Sequence, residues 1–260
     1  MLLVTGANGY VAGHTLKSLM ARGVAESKPG PVRALVRSQR QFEKVQRFGA
    51  AVEPVLGDVT DPASLDAAMQ GVDAVIHLAA VNRDRGEVTM ERVNAQGTIH
   101  VVDAAKRAGV RHILNVVGLG ADPNRPYPLA RTQGVGVEAI MASGIPYTIL
   151  ESSVIFGEGD EFINTLAGLA RIPPFMVVPG DGKSKFQPIA VQDVAACVVR
   201  SLSNPGAMNA RLEIAGGEVL TLEQIIDAIL SELGVKRARI HMPVGVLRIA
   251  VGVMDKVLPK

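Results

Sequence analysis

The most constraining feature of the chain is an apolar strand that runs directly into a glycine-spaced turn and a helix, in residues 2–13, LLVTGANGYVAG. Gly6 permits a tight turn after the strand, and Gly9 lets the backbone approach a pyrophosphate. Ala12 keeps the helix close to the sheet, and the helix N-terminus offers unpaired N–H groups to an anion. With a matching second strand downstream, the pattern predicts a phosphate-binding loop for a dinucleotide, the alternative being an ordinary strand–helix turn.

Composition narrows the classes of protein to consider. With 260 residues, 48% of them hydrophobic, the chain can bury a sizeable core. Its 27 basic and 25 acidic residues give a net charge of +2 without a long basic run, so we expect no nucleic-acid partner. Cys197 is the single cysteine, and no cluster has metal-ligand spacing, so neither a disulfide nor a metal site is expected. The chain opens without a signal-like leader and has no run of membrane-spanning length, which favours the cytoplasm.

Strand and helix patterns alternate along the first 150 residues. After the first strand, strands are predicted at 32–37, 51–56, 74–78, 112–117 and 147–150. Helices are predicted at about 10–22, 39–48, 62–69, 87–108 and 129–143. Six strands alternating with helices indicate an α/β fold with a doubly wound parallel (Rossmann) sheet, here a domain of residues 1–154. Ligands of such sheets bind beyond the carboxyl ends of the strands.

The segments after the strands carry the chemistry. Arg37 follows the second strand, where NAD-preferring proteins usually place a carboxylate for the ribose hydroxyls. A guanidinium there can pair with a 2′-phosphate, which favours NADP(H) over NAD(H); a solvated surface arginine is the alternative. Asp58, after the third strand, could accept a hydrogen bond from the adenine amino group. After the fourth strand, Leu78, Ala79 and Ala80 would let the backbone lie against the cofactor.

Past residue 155 the elements become shorter. Short elements are predicted at 175–178 and 186–189, a strand at 212–214, and helices at 191–202 and 222–233. They indicate a small C-terminal α/β lobe of residues 155–260. The last segment, Val244 to Leu258, is apolar on most of a helix surface. That helix either packs on its own lobe or contacts a protein partner or a membrane surface.

The phrases TGANGYVAGH, VRALVR, GDVTDPASL, VIHLAA, VNAQGT and AAKRAGVRHIL follow one another in the chain. In this order they resemble the atypical and extended short-chain dehydrogenase/reductases over nearly the whole chain. The later phrases YTILESSVIFGEGDEF, FQPIAVQDVA and VLTLEQI are most similar to the NmrA-like branch, which includes the Rossmann-type accessory subunit of respiratory complex I. The resemblance implies a nicotinamide cofactor, a lobe that closes over the strand ends, and a partner protein or a membrane-associated complex.

Catalytic members of that superfamily use a Ser or Thr after the fifth strand and a Tyr-x-x-x-Lys pair on the next helix. The tyrosine exchanges a proton with the substrate, and the lysine holds the nicotinamide ribose and lowers the tyrosine pKa. In this chain the hydroxyl positions hold Val117 and Gly118, the lysine position holds Gln133 and the tyrosine position holds Leu129. The resemblance therefore implies that the usual acid–base group is missing.

Two residues are weaker catalytic candidates. Tyr127 and Arg131 have the Tyr-to-Lys spacing but lie two residues out of register, and Tyr127 lies between two prolines, which favours a loop aromatic. Glu151 stands where relatives commonly have arginine, and it could be a replacement acid or base, face solvent or pair with an arginine. His77 is interpreted as structural, and Asn94 matches a helix asparagine that supports the active-site backbone in relatives.

The sequence thus predicts an NAD(P)(H)-binding protein, with NADP(H) preferred, that lacks the usual catalysis and acts as an accessory, assembly or redox-sensing protein. The alternative is an NADPH-dependent oxidoreductase or an NAD(P)-dependent epimerase or isomerase with a non-standard site. The predicted cofactor contacts are Gly6, Asn8, Gly9, Tyr10, Val11, Arg37, Asp58, Val59, Leu78, Ala79, Ala80, Val117 and Gln133.

Overall fold

The computed structural model describes residues 1–25 and 31–246, with side chains described except at residues 22–25. The first elements are β1 (Leu2–Thr5), α1 (Tyr10–Ala25), β2 (Val32–Val36), α2 (Gln39–Gln46), β3 (Val52–Leu56), α3 (Pro62–Met69) and β4 (Ala74–His77). A π-helical segment, Glu91–Gln96, then runs into α4 (Gly97–Ala108), followed by β5 (His112–Gly118), α5 (Pro128–Met141) and β6 (Tyr147–Ser152). The helix predicted over 87–108 is therefore an α-helix only from Gly97 onward.

Shorter elements follow. They are β7 (Ile155–Phe156), α6 (Phe162–Ala170), β8 (Phe175–Pro179), β9 (Lys185–Phe186), β10 (Ile189–Ala190) and α7 (Val191–Ser201). After a 3₁₀ turn at Pro205–Ala207 come β11 (Ala210–Ile214), β12 (Leu220–Thr221), α8 (Leu222–Glu232) and β13 (Ala238–Met242).

Seven strands form one parallel sheet in the order β3-β2-β1-β4-β5-β6-β11. Strand side chains alternate between two buried clusters, since Leu3 belongs to one cluster and Val4 to the other. Helices α3, α4 and α5 pack on the first cluster, and α1, α2 and α7 pack on the second. The predicted doubly wound Rossmann sheet is confirmed. Its strand order reverses between β1 and β4, which places the ligand crevice at their carboxyl ends.

The chain divides into two compact units. The first comprises residues 1–152 and 191–214, and the second comprises residues 153–190 and the described residues from 215 onward. This division differs from the contiguous domains 1–154 and 155–260 expected from the sequence. The physical reason is that β11 extends the main sheet, pairing with β6 from Ala210–Thr148 to Ile214–Ser152, while α7 packs on α1.

The second unit is the predicted small α/β lobe. It contains three two-stranded pairs, β7 with β10, β9 with β12, and β8 with β13. Helices α6 and α8 bury Leu166 and Ile226 against Met176 and Val178 of β8. The helix predicted over Val244 to Leu258 lies almost entirely outside the described residues. Among the described residues, no helix combines the length and the apolar character that crossing a membrane requires.

Candidate functional site

A cleft with a cavity volume of about 160 Å³ opens at the carboxyl ends of β1 to β4, where ligands of doubly wound sheets bind. Its lining residues are Gly6, Asn8, Gly9, Leu35, Val36, Arg37, Gln41, Gly57, Asp58, Val59, Leu78, Ala79, Ala80, Val81 and Val93. The structure thus brings together most of the predicted cofactor contacts. Tyr10 and Val11 begin α1 directly after this loop, whereas Val117 and Gln133 line a second, smaller cavity.

The loop after β1 is shaped by its glycines. Gly6 has a φ of +65°, and a Cβ added there would lie 2.7 Å from the backbone N and Cα of Ala79. The amide of Gly9 donates to the Gly6 carbonyl at 2.8 Å, which closes the turn at the start of α1. The first turn of a helix has N–H groups without acceptors inside the helix. A side chain at Gly6 would collide with the backbone that follows β4, so the glycine lets these two loops lie in contact. The unpaired N–H groups at the start of α1 fit the phosphates of a dinucleotide.

Arg37 and Asp58 lie together at the other end of the cleft. The Arg37 amide donates a hydrogen bond to Gln41 Oε1 at 2.8 Å. This bond joins the residue after β2 to the first turn of α2. Asp58 Oδ1 accepts hydrogen bonds from the Thr60 amide at 2.8 Å and the Thr60 hydroxyl at 2.9 Å. Asp58 Oδ2 lies 4.0 Å from Arg37 Nη1, whose side chain is 46% exposed. The site therefore offers a guanidinium with free access to an anion, beside a carboxylate with one oxygen still able to accept.

The second cavity continues from the cleft, with which it shares Ala79 and Ala80. Gln133 lines it and is only 9% exposed. The Gly118 amide donates to Gln133 Oε1 at 3.0 Å, which fixes the oxygen of the side-chain amide toward β5. Gln133 Nε2 has no acceptor within hydrogen-bond distance among the described residues. Since Nε2 carries two N–H donors, it can donate a hydrogen bond to an oxygen atom of a ligand in this cavity.

The π-helical segment positions Asn94. Asn94 Oδ1 accepts from the Val81 amide at 2.8 Å, and Nδ2 donates to the Val81 carbonyl at 2.9 Å and to Thr132 Oγ1 at 3.3 Å. Asn94 therefore fixes the backbone that follows β4 and ties it to α5. This is the supporting role that the resemblance implied. π-helical turns are frequent at functional sites because they re-aim side chains.

His77 is buried at the end of β4, with hydroxyl groups on both ring nitrogens. Thr5 Oγ1 lies 2.7 Å from Nδ1, and Thr98 Oγ1 lies 2.9 Å from Nε2. Thr98 Oγ1 donates to the Asn94 carbonyl, so it accepts from Nε2–H, and Nδ1 accepts from Thr5. Burial favours this neutral ring and lowers the pKa of His77 from 6.5 to about 4. The structural interpretation of His77 fits this fully paired arrangement.

The free energy of unfolding is expected to fall as the pH drops from about 6.5 to about 4. Above that window His77 is neutral in both states, and within it only the unfolded chain takes up the proton, since the folded pKa is about 4. NMR titration of the His77 ring protons measures the folded-state pKa, and urea denaturation across the same pH window measures the free energy of unfolding. A His77 midpoint near 6.5 would contradict the assignment.

The remaining candidates lie as follows. Tyr127 is 62% exposed and immediately precedes α5, as the flanking prolines predicted. Glu151 is buried and takes the last of its three predicted alternatives, the ion pair. Arg211 donates to Glu151 Oε1 through Nε at 2.7 Å and also through Nη2, and the Gly120 amide donates to Oε2 at 3.3 Å. Sequence reasoning missed Arg211, whose partner is 60 residues away in the chain.

Comparison with known proteins gives the family. Residues 6–205 match the family described as NAD(P)H-binding. Over 234 residues the chain is 27% identical to the NAD(P)H azoreductase of Xenophilus azovorans, covering 90% of this chain and 74% of that protein. It is 25% identical to the mitochondrial NADH dehydrogenase [ubiquinone] 1 alpha subcomplex subunit 9 of Dictyostelium discoideum, covering 93% of this chain and 66% of that subunit.

A solved structure shows the same fold. The NADPH-dependent quinone oxidoreductase of Escherichia coli, complexed with NADPH, superposes with a TM-score of 0.79 at 23% identity, covering 100% of this chain and 84% of that one. The resemblance to the atypical short-chain dehydrogenase/reductases is confirmed, and the comparisons support binding of a pyridine nucleotide. The chain belongs to the NAD(P)H-binding family, as a Rossmann protein with a small C-terminal lobe.

Proposed function

We propose that this chain is an NADP(H)-binding protein that works without the usual Ser-Tyr-Lys group and acts as a cofactor-dependent accessory, assembly or redox-sensing protein. The observation that carries the proposal is a cleft lined by the glycine loop, Arg37 and Asp58, while the positions that hold the catalytic group in relatives are occupied here by Val117, Gly118, Leu129 and Gln133. None of these side chains can donate a proton to a substrate as tyrosine does, or lower a neighbouring pKa as an ammonium does.

Each end of the cleft would hold a different part of the cofactor. The glycine loop and the start of α1 would hold the phosphates, and Asp58 Oδ2 would accept from the adenine amino group. Arg37 would pair with the ribose 2′-phosphate, since phosphate and guanidinium form charge-assisted hydrogen bonds. Gln133 Nε2 would donate to the nicotinamide ribose, as a neutral replacement for the lysine of catalytic relatives. When bound, the cofactor supplies a hydride donor or acceptor at this site.

Arg37→Ala is expected to weaken NADPH binding by about 10- to 100-fold, because a hydrogen bond to a charged group contributes roughly 1.5–3 kcal/mol. NADH, which lacks the 2′-phosphate, should bind the variant nearly as well as it binds the unaltered protein. Parallel calorimetric titrations with both nucleotides measure the difference. Arg47→Ala, an exposed arginine at the far end of α2, is the matched control. An equal loss for NADPH and NADH would refute the 2′-phosphate role.

The accessory role requires a partner. In this proposal the nucleotide unit would hold the cofactor but would offer, among its described residues, no side-chain proton donor at the family's positions. A bound nucleotide would then act through its effect on stability or contacts. We propose a protein partner or a membrane-associated complex, contacted through the segment Val244 to Leu258. The proposed location is the cytoplasm, at the periphery of a membrane.

A second candidate function is an NADPH-dependent oxidoreductase, or an epimerase or isomerase, with a non-standard site. It is favoured by the similarity to an NAD(P)H azoreductase over 90% of this chain. General acid–base help contributes about 10²- to 10⁴-fold, so an electron-poor acceptor could still take a hydride without it. Water, or the exposed Tyr127, would then supply the proton.

Turnover separates the two candidates. NADPH oxidation is followed at 340 nm with a panel of quinones, azo dyes and enones, after NADPH binding has been measured on the same preparation. Tight NADPH binding without sustained turnover supports the accessory or sensing role. Sustained turnover that disappears in a variant unable to bind the dinucleotide supports the oxidoreductase function and contradicts the non-catalytic proposal.

A further inference from the structure

The second unit exposes apolar side chains where α6 ends and β8 begins. Leu169, Ile172 and Phe175 are 46%, 62% and 50% exposed. Leu166 and Ala170 of α6 are buried in the core of the unit. The three exposed side chains are not part of that core cluster. Single exposed apolar residues are common, but three within seven residues indicate a contact surface.

The apolar surface continues onto the neighbouring strand. In β8 the alternate residues Met176 and Val178 are buried in the core, which places Phe175 and Val177 on the opposite face. Phe175 pairs in register with Ala238 of β13, and Val177 pairs with Ile240, which is also exposed. The outer face of this two-stranded sheet is therefore apolar along both strands. We call residues 169–175 together with residues 236–240 the α6–β13 surface.

The charges at the α6–β13 surface have one sign. Residues 162–180 and 235–242 contain no Asp or Glu. Arg237 Nε donates to the Ala170 carbonyl at 2.9 Å, which brings Lys236 and Arg237 beside the end of α6 and next to Arg171. Among the described residues, no carboxylate lies within ion-pair distance of these three cations.

Two further basic side chains in the same region are already compensated. Arg239 pairs with Asp227, and His241 lies 2.9 Å from Glu223. Arg171, Lys236 and Arg237 therefore leave a local positive charge around the exposed apolar residues.

We infer that the α6–β13 surface docks on an anionic lipid surface. Apolar side chains that enter the headgroup boundary, flanked by cations that reach anionic headgroups, are the two contributions that hold a protein at a membrane interface. Long lysine and arginine side chains can keep their charges at the headgroups while their stems cover apolar area. The functional purpose of this docking rests on the proposed accessory role. The α6–β13 surface is a different contact surface from the segment Val244 to Leu258 that the proposed function invokes.

Vesicle sedimentation tests the inference, with phosphatidylglycerol–phosphatidylcholine vesicles compared with pure phosphatidylcholine. We expect at least about 10-fold stronger binding to the anionic vesicles, weakened by salt because the charges are exposed. Ile172→Asp with Phe175→Asp should reduce binding at least about 10-fold, and Lys236→Glu several-fold. Met141→Asp, an exposed apolar residue at the end of α5, is the matched control and should bind like the unaltered protein.

A spectroscopic readout makes the test independent of the charged variants. The chain contains no tryptophan, so Ile172→Trp introduces a single reporter. Its emission is expected to shift to the blue on anionic vesicles, while Met141→Trp shows no shift. Absence of vesicle binding, equal binding by the Asp variants, or a dimer formed through this surface in place of vesicle binding would overturn the inference. NADPH titration of the same samples shows whether the proposed cofactor function stands or fails separately.

Discussion

Gly9→Asp is expected to abolish measurable dinucleotide binding, with a fall in affinity of roughly 100-fold or more. Gly9 is exposed in the loop between β1 and α1, and a Cβ there would already lie 3.0 Å from the Gly6 carbonyl oxygen. The rest of the side chain would occupy the space proposed for the pyrophosphate. Two like charges about 4 Å apart near a protein surface repel by about 4 kcal/mol, which is enough for the expected loss. Calorimetric titration with NADPH measures it.

The matched control is Gly13→Asp, one turn further along α1. Apart from the neighbouring backbone of its own helix, no atom of the described residues lies within 4 Å of a Cβ at Gly13, and Gly13 does not line the cleft. This variant introduces the same charge four residues further along the chain, inside α1, and we expect NADPH affinity within about threefold of the unaltered protein. If Gly9→Asp bound NADPH normally, the phosphates could not lie on this loop. Gly9→Asp also serves as the negative control for any NADPH oxidation.

The nucleotide unit was predictable because its signals are local. A parallel strand covered on both faces gives a short, continuous apolar run, and a turn residue ends it. The fourth strand was predicted at 74–78 and is found at Ala74–His77, between β1 and β5. Since ligands of such sheets lie beyond the strand ends, the sequence alone predicts that Arg37 and Asp58 line one cleft. The structure places them 4.0 Å apart.

The division into units was not predictable in the same way. A strand pattern over 212–214 shows that a strand exists, but it does not name the strand with which it pairs. β11 joins β6 across about 60 residues of sequence and so returns to the first unit. The π-helical segment Glu91–Gln96 was also missed, because one extra residue in a helical turn leaves the apolar pattern of the helix nearly unchanged.

Tertiary contacts also decide which groups a predicted site residue can bind. Gln133 was placed at the lysine position, but its bond to the Gly118 amide depends on how α5 packs beside β5. From the sequence alone, Gly134 in the middle of α5 is expected to lower the stability of the helix. In the structure, a Cβ there would lie 2.3 Å from the Asp122 backbone. Because position 134 has no side chain, the loop after β5 can lie directly against α5. This contact helps to fix the position of α5, and so of Gln133, beside the cavity.

Arg211→Ala is expected to lower the free energy of unfolding by roughly 2 to 4 kcal/mol. The Glu151 side chain is 7% exposed, and Arg211 is its cationic partner. Without Arg211, the Gly120 amide at 3.3 Å is the remaining donor to Glu151 among the described residues. A buried carboxylate without its cation is costly because it has lost water as well. Arg211 is 41% exposed, so water can enter its place, and the expected loss stays below that of a fully enclosed pair.

The double variant Glu151→Gln with Arg211→Met separates the cost of an unpaired charge from the loss of an attraction. The glutamine keeps an oxygen for the Gly120 amide and carries no charge, so urea denaturation should show most of the stability recovered. Equal losses in the single and double variants would mean instead that the pair itself stabilises β6 against β11. NADPH affinity is the second readout. If Glu151 only anchors the loop after β5, the double variant binds NADPH normally, whereas a role at the cofactor would weaken binding even in a stable protein.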